Sequence, residues 1–282
     1  MDKLLRHMAR FVRAPFIAAY DFLGIFIFRR YPMKYFNSVL NVGDQINPYL
    51  VKAILGKSAF NVKSDRFKHV VGLGSMFHVA NKKSVIWGTG IISEEPNFIR
   101  RTDCLSVIAA RGQLTEKALV ENGVIKRNSI ILGDPGLLMP LFYNPSVKKT
   151  KNVGVIPHYV DANFPFLQES DDISVIDVRQ YPEDFIDQIL SCDVIVSSSL
   201  HGLILADAYG IPNKWVSFSD RITGGAFKYH DYYSTTDKPD ESTIFVEGKS
   251  DFSDLIRNVR KHVSVKSYIY DKKQLIESFP EL

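Results

Sequence analysis

The sequence predicts an α/β protein built on parallel sheets and divided into two domains. Short apolar runs ending in glycine or serine recur along the chain, helical patterns separate them, and a lysine-rich break splits the series. The 282 residues exceed the roughly 100–200 of one ordinary domain. With 45% hydrophobic and 23% charged residues, the chain can bury a sizeable core.

Residues 1–35 form a separate N-terminal basic and apolar segment. The apolar stretch from Ala14 to Phe28 is interrupted by Asp21 and falls short of the roughly 18 residues that span a bilayer. It lacks the small-residue cleavage site of a signal peptide. Arg6, Arg10, Arg13, Arg29, Arg30 and Lys34 flank Phe16, Phe22, Phe26 and Phe28. Two readings fit this composition: a core helix with solvated arginines, or a basic amphipathic helix on an anionic inner leaflet.

Beyond it, the runs HVVGLG, SVIWGTG, LSVIAARG, SIILGD, VGVIPHY, ISVIDVR, DVIVSSS and KWVSFS are too continuously apolar for half-exposed strands, so both sheet faces are covered. NPYLVKAILGK has helical ends, with Asn47 as cap, Pro48 in the first turn and Gly56 after the apolar stripe. GQLTEKALVENG ends on Gly123, a natural left-handed cap. PEDFIDQILSC places Pro182 in a first turn and Phe185, Ile186, Ile189 and Leu190 on one face. LFYNPSVKKTKN interrupts the alternation and marks a boundary near residues 142–152. The domains are therefore 36–147 and 148–262, followed by a C-terminal helix or tail, 263–282.

A net charge of +4 without an aromatic-basic motif argues against nucleic-acid binding and is compatible with anionic small substrates. Cys104 and Cys192 lack CxxC spacing, and no His and carboxylate cluster has the spacing of metal ligands, so no metal is expected. GLGS and GTG follow strands but do not extend to the dinucleotide fingerprint, which disfavours a nicotinamide cofactor.

In open α/β sheets, ligands bind beyond the carboxyl ends of the strands. There, DVIVSSSLHGLILADAYGIP reads as a strand, the turn Ser197–Ser199, and a helix starting near Leu200. Its first-turn amides and positive end make an anion site, with Ser199, Leu200 and Gly202 around His201. His201 in that place can bind an anion or transfer a proton; a capping or packing histidine is the bland alternative. Gly202 would let backbone and ligand approach closely.

Arg111, after a strand and before Gly112, suits a carboxylate or phosphate, or is a surface arginine. Asn41, Gly43 and Asp44 form a turn before a helix, which turn chemistry alone explains. RITGGAFKYHDYY reads as a loop carrying Arg221, Lys228, His230 and Asp231 among aromatics, as a sugar site needs and as ordinary loops also show. Asp134 in ILGDPGLLMP sits on the same rim, where Asp-Pro-Gly needs no catalytic explanation.

In register, NVGDQINPYL, VIWGTG, SVIAARGQLTEKAL, ILGDPGLL, SSSLHGLILADAYGIP and FKYHDYY resemble the polysaccharide pyruvyltransferase family, from about residue 40 to 235. The resemblance implies two Rossmann-like halves facing a cleft, GT-B-like, with the acceptor on the N-terminal side and the donor on the C-terminal side. It implies transfer of pyruvate from phosphoenolpyruvate onto two hydroxyls of a sugar in a bacterial surface polysaccharide precursor, exopolysaccharide or capsule, as a cyclic ketal. No cofactor beyond the donor is implied. The acceptor would be a lipid-linked oligosaccharide, met in the cytoplasm at the inner membrane, where the N-terminal segment offers a peripheral contact.

By the same resemblance His201 and Arg111 hold or activate the donor; the residue types then make His201 the candidate general acid, Arg111 the holder of the donor phosphate or carboxylate and Asp44 or Asp231 the candidate acceptor of a hydroxyl proton, with Asn41 and Gly43 as candidate substrate contacts. Many relatives carry arginine where this chain has Ser199. Either the serine hydroxyls and helix N-terminus replace that cation, or Arg221 or Lys228 reaches in. A GT-B-like glycosyltransferase using a nucleotide sugar, and a non-catalytic glycan-binding module, are the rival readings.

Overall fold

Each of the eight apolar runs supplies a strand, and each strand pairs in parallel with its neighbours. The computed structural model describes residues 15–95 and 104–282. The first sheet holds β1 (Tyr31–Lys34), β2 (Ala59–Asn61), β3 (His69–Val71), β4 (Ser84–Trp87), β5 (Ser106–Ala110) and β6 (Ile131–Leu132), ordered β2-β1-β3-β4-β5-β6. The second holds β7 (Lys151–Ile156), β8 (Ile173–Val175), β9 (Cys192–Ser197), β10 (Asn213–Ser217) and β11 (Ile244–Phe245), ordered β11-β10-β9-β7-β8. Helices flank both: α1 (15–22), α2 (Val42–Leu55), α3 (Gln113–Glu121), α4 (Pro182–Leu190), α5 (Leu200–Ala208), α6 (Phe227–Tyr233), α7 (Lys249–Asn258) and α8 (Lys272–Glu277). Every residue of β3 and β4 is buried, which is why their sequences show no alternation.

Three strands have no counterpart among the runs. β1, from the segment set apart as an N-terminal arm, lies inside the first sheet between β2 and β3. Its four residues include Pro32, with Arg29 and Arg30 before them and Tyr35 and Phe36 after, so no two-residue alternation marks them. β2 and β11 are only three and two residues long.

Helix α2 begins earlier than Asn47 and Pro48 led us to expect, because Asn41 is the cap: its side chain accepts the Gly43 N–H at 3.0 Å. Pro48 therefore lies inside the helix, where it cannot bond the Asp44 carbonyl. Asn47 repairs the gap, donating from Nδ2 to that carbonyl at 3.3 Å and to the Leu73 carbonyl at 3.2 Å. Gly56, at φ 67°, ends the helix in the left-handed conformation, and Gly123, at φ 70°, follows α3 in the same way.

The C-terminus returns to the first sheet. Trp87 Nε1 donates to the Leu275 carbonyl at 3.3 Å, the Tyr31 hydroxyl donates to the Pro280 carbonyl, and Phe279 packs between Tyr31 and Trp87. The main apolar core runs through both halves, from Val42, Ile46 and Leu50 on α2 to Phe185, Ile186 and Ile189 on α4. The 3₁₀ helix Pro135–Leu141, which follows β6, packs on α5 through Leu137, Leu200, Leu203 and Ile204. That contact brings the strand ends of one sheet to the helix start of the other.

Candidate active site

The start of α5 is open for an anion because Ser199, its N-cap, makes no capping bond with its side chain. The first-turn amides of Leu200, His201 and Gly202 thus lack side-chain acceptors. The turn itself is locked by its neighbours: Ser197 Oγ accepts the Ser199 N–H at 3.0 Å and donates to the Ile156 carbonyl at 3.0 Å, and Ser198 Oγ accepts the His158 N–H at 2.8 Å. Gly202 has another role than the expected approach to ligand. A Cβ there would lie 2.5 Å from Ser197 Oγ and 3.0 Å from Ile156 Cγ2, so glycine seats the helix on the strand ends. The Leu200 side chain belongs to the core; only its backbone faces the site.

His201 lies between the halves. A Cβ on Gly43 would sit 2.0 Å from His201 Nδ1, so the first turn of α2 lies flush against the imidazole. This packing, not a turn, is what requires glycine at 43. On the other side, His201 Nε2 faces Asp134 Oδ2 at 3.9 Å, and neither atom has a hydrogen-bond partner among the described residues. Burial, then the charges of Arg111, Lys228 and His158, push the imidazole down to about 3, so it is neutral at pH 7 and the contact is not an ion pair. Asp134 is driven up to about 6 by burial, against the Gly136 N–H and the Arg111 charge. Asp134 thus belongs to the constellation, although Asp-Pro-Gly alone looks like turn chemistry.

Arg111 is completely buried. Its Nε donates to Asp231 Oδ2 at 2.8 Å, Nη1 to Ser75 Oγ at 2.7 Å and Nη2 to the Ile91 carbonyl at 2.7 Å. Asp231 also accepts the Thr115 N–H at 2.8 Å and its hydroxyl at 2.7 Å. With both oxygens taken up by the guanidinium and the two Thr115 donors, Asp231 is placed as the group that fixes Arg111, where the sequence read it as a candidate base.

The residues read as an acceptor loop at Asp231 are instead helix α6, largely buried. Tyr229 stacks on Trp215 with ring centroids 4.4 Å apart and donates to the Ser198 carbonyl at 2.6 Å, while Tyr232 donates to the buried Asp207 at 2.9 Å. These bonds fix Lys228 beside the serine turn. Lys228 is buried with no hydrogen bond or ion pair to any described residue, its ammonium lying 5.3 Å from the Tyr229 ring centroid. Burial, then Arg111, push it down to about 8. Arg221 points elsewhere, to Asp161 at 3.0 Å over the Phe164 ring. Of the two cations weighed to replace the arginine at Ser199, Lys228 is the one that acts on His201.

His158, just past β7, was not singled out; burial, then Lys228, push it down to about 3. Its signal is the histidine next to last in VGVIPHY, at the carboxyl end of a strand. Asn41 is accounted for as the α2 cap. Asp44, in that helix's first turn, has no side-chain partner among the described residues, and burial raises it to about 7. Two buried cations, two neutral imidazoles and two elevated carboxyls thus meet where α2, α5, α6 and β5 converge. A cavity of about 630 Å³ lies apart from them, along α3, β6 and the start of α8.

Over residues 28–219 the sequence matches the polysaccharide pyruvyl transferase family. The chain belongs to that family. The matched span contains Arg111, Asp134, His158 and His201, and Lys228 lies just beyond it. Among curated proteins, the uncharacterized protein L143 of Acanthamoeba polyphaga mimivirus is 32% identical over 213 residues, 72% of this chain and 73% of that protein. Succinoglycan biosynthesis protein ExoV of Rhizobium meliloti (strain 1021) is 30% identical over 133 residues, 45% of this chain and 39% of that protein. A solved structure of an uncharacterized protein from Klebsiella pneumoniae superposes with a TM-score of 0.46 at 13% identity, covering 84% of this chain and 98% of that one. As a pyruvyl transferase family member, the chain is a transferase whose acceptor is a sugar.

Proposed function

We propose that the chain transfers pyruvate from phosphoenolpyruvate to two hydroxyls of one sugar, forming a cyclic ketal, within a GT-B-like arrangement of its halves. The observation that carries the proposal is the pair of buried cations beside a neutral His201: Arg111 is held by Asp231, and Lys228 has no hydrogen bond or ion pair among the described residues. A small donor with a phosphate and a carboxylate supplies the countercharge this site lacks. Arg111 and Lys228 bind those groups together with the first-turn amides of α5. Because Arg111 and Asp134 are fully buried, the donor reaches them when the halves part.

Donor charge beside His201 raises the imidazole, reversing the effect of Arg111 and Lys228, and Asp134 favours the proton on Nε2. His201 then protonates the methylene carbon of the enol, leaving an oxocarbenium at C2. One sugar hydroxyl adds there and its proton passes to Asp44. Phosphate departs with the proton held by Asp44, the second hydroxyl closes the ring, and its proton restores His201, so both groups return to their starting state. Phosphoenolpyruvate places the reaction in the cytoplasm, on a surface-polysaccharide precursor such as a lipid-linked oligosaccharide.

Phosphate release from phosphoenolpyruvate with a panel of lipid-linked and small galactosides, glucosides and mannosides tests the reading. Lys228→Met should raise the donor KM by roughly 10- to 200-fold, the worth of one charged hydrogen bond of about 1.5–3 kcal/mol, and change kcat less. Turnover of a nucleotide sugar, with no phosphate release from any acceptor, would replace this reading by a glycosyltransferase.

Asp44 as base makes a second expectation. It must be ionised to accept a proton, so kcat should rise with pH through about 7, and Asp44→Asn should abolish that limb. A pH profile unchanged in Asp44→Asn removes Asp44 from the mechanism.

A further inference from the structure

Helix α1 is turned the opposite way from a core helix. Its inward positions carry small or polar residues: Ala18 is buried, Asp21 is fully buried, and Gly24 presses on the Phe60 ring, which a Cβ would meet at 2.5 Å. Asp21, which breaks the apolar run in the sequence, is the anchor. Its carboxylate accepts the Lys63 N–H at 3.0 Å and the Ser64 N–H at 2.7 Å. The large apolar side chains face out. Phe16, Tyr20, Leu23 and Ile27 share one stripe at helical spacing and are 74%, 54%, 47% and 59% exposed; Phe22, Phe26 and Phe28 flank it at 47%, 55% and 63%.

A helix normally buries such residues, and an exposed apolar cluster of this size marks a contact surface. The charges around it indicate the partner. Arg29 and Arg30 follow the helix, and the loop that anchors Asp21 exposes Lys63, Arg66 and Lys68, with Arg66 next to the Phe67 that packs on Phe26. Asp65, in the same loop, is bonded to Lys34 and Asn81. Aromatic side chains within a cationic rim complement an anionic bilayer: rings enter the acyl boundary, and arginines and lysines meet lipid phosphates. Among the described residues no helix is long and apolar enough to cross a membrane, so the contact is peripheral.

We propose that α1 and the turn Leu23–Ile27 form a monotopic docking face for anionic lipid bilayers, held to the protein by Asp21. The proposal is independent of the reaction at His201.

The test is co-sedimentation of the full chain with vesicles of phosphatidylcholine alone and of phosphatidylcholine mixed in equal parts with phosphatidylglycerol. The chain should bind the mixed vesicles, and added salt should weaken binding. The triple variant Phe16→Ser, Ile27→Ser, Phe28→Ser leaves Ala18, Asp21, Gly24 and the Phe22–Phe26–Phe67 contacts in place. It should lose at least roughly tenfold in vesicle affinity, with unchanged thermal melting and unchanged phosphate release on a soluble acceptor. Arg29→Gln with Arg30→Gln, at exposed positions, should reduce binding to the mixed vesicles and leave binding to neutral ones as it was. Vesicle binding that survives both variants overturns the proposal. So does a chain that ignores vesicles but dimerises in solution and becomes monomeric in the triple variant, which would give the face to a second copy.

Discussion

Arg111→Met is expected to destabilise the protein by about 3–5 kcal/mol, because it leaves the Asp231 carboxylate buried without its cation. Both side chains are inaccessible to solvent, so water cannot repair the loss. The guanidinium also ties β5 to Ser75 and to the Ile91 carbonyl, and Asp231 ties α6 to the start of α3 through Thr115. Removing the arginine therefore loosens the contact that fixes Lys228. The pair Arg111→Met with Asp231→Asn separates structure from chemistry. Asparagine removes the stranded charge and keeps an acceptor and a donor for Thr115, so most of the stability should return, read as the midpoint of denaturant unfolding. Donor turnover should not return, since the anion has lost a cation. A single variant as stable as the parent shows the pair to be structurally idle, and a double variant with restored turnover shows that Arg111 does not hold the donor.

His201→Ala should lower kcat by roughly 10²- to 10⁴-fold, the contribution of one general acid, with only a small change in melting temperature. The stability argument is local. Nε2 of His201 is buried and unpartnered, so truncation removes an unsatisfied polar atom and offsets part of the packing lost beside Gly43. The rate argument rests on the site holding a neutral imidazole that becomes a proton donor when the anion arrives. Phosphoenolpyruvate binding to the parent should therefore take up a proton at neutral pH, measurable as a dependence of binding heat on the buffer's ionisation enthalpy, and His201→Ala should take up less. Turnover within about threefold of the parent removes His201 from the acid's role. A large fall in melting temperature instead makes the residue a packing element.

Much of the architecture is legible in single stretches of sequence. The apolar runs become strands because a parallel sheet covered on both faces needs continuous, not alternating, hydrophobicity. Helix ends at Gly56 and Gly123 follow from backbone conformations that other residues adopt at a cost. Three strands were hidden: β1 contains proline, and β2 and β11 are two or three residues outside any of the apolar runs, so only their neighbours make them strands. The start of α2 was misjudged because Asn41 and Asn47 are equally good caps in isolation. The choice between them depends on the Leu73 carbonyl, which meets the second from a distant loop.

At the site, the sequence by itself determined the family pattern and singled out His201 and Arg111 as candidates, because a helix start after a buried strand offers amides to an anion whatever surrounds it. Tertiary structure alone decided the remaining roles. It set Asp231 against Arg111, brought Asp134 to face His201 through the packing of Pro135–Leu141 on α5, and buried Lys228 with no hydrogen bond or ion pair among the described residues. It also turned the aromatic residues of α1 outward by anchoring Asp21. The reason is common to all four. A side chain's charge state and role depend on what desolvates it and what faces it, and those neighbours come from parts of the chain whose approach no local pattern records.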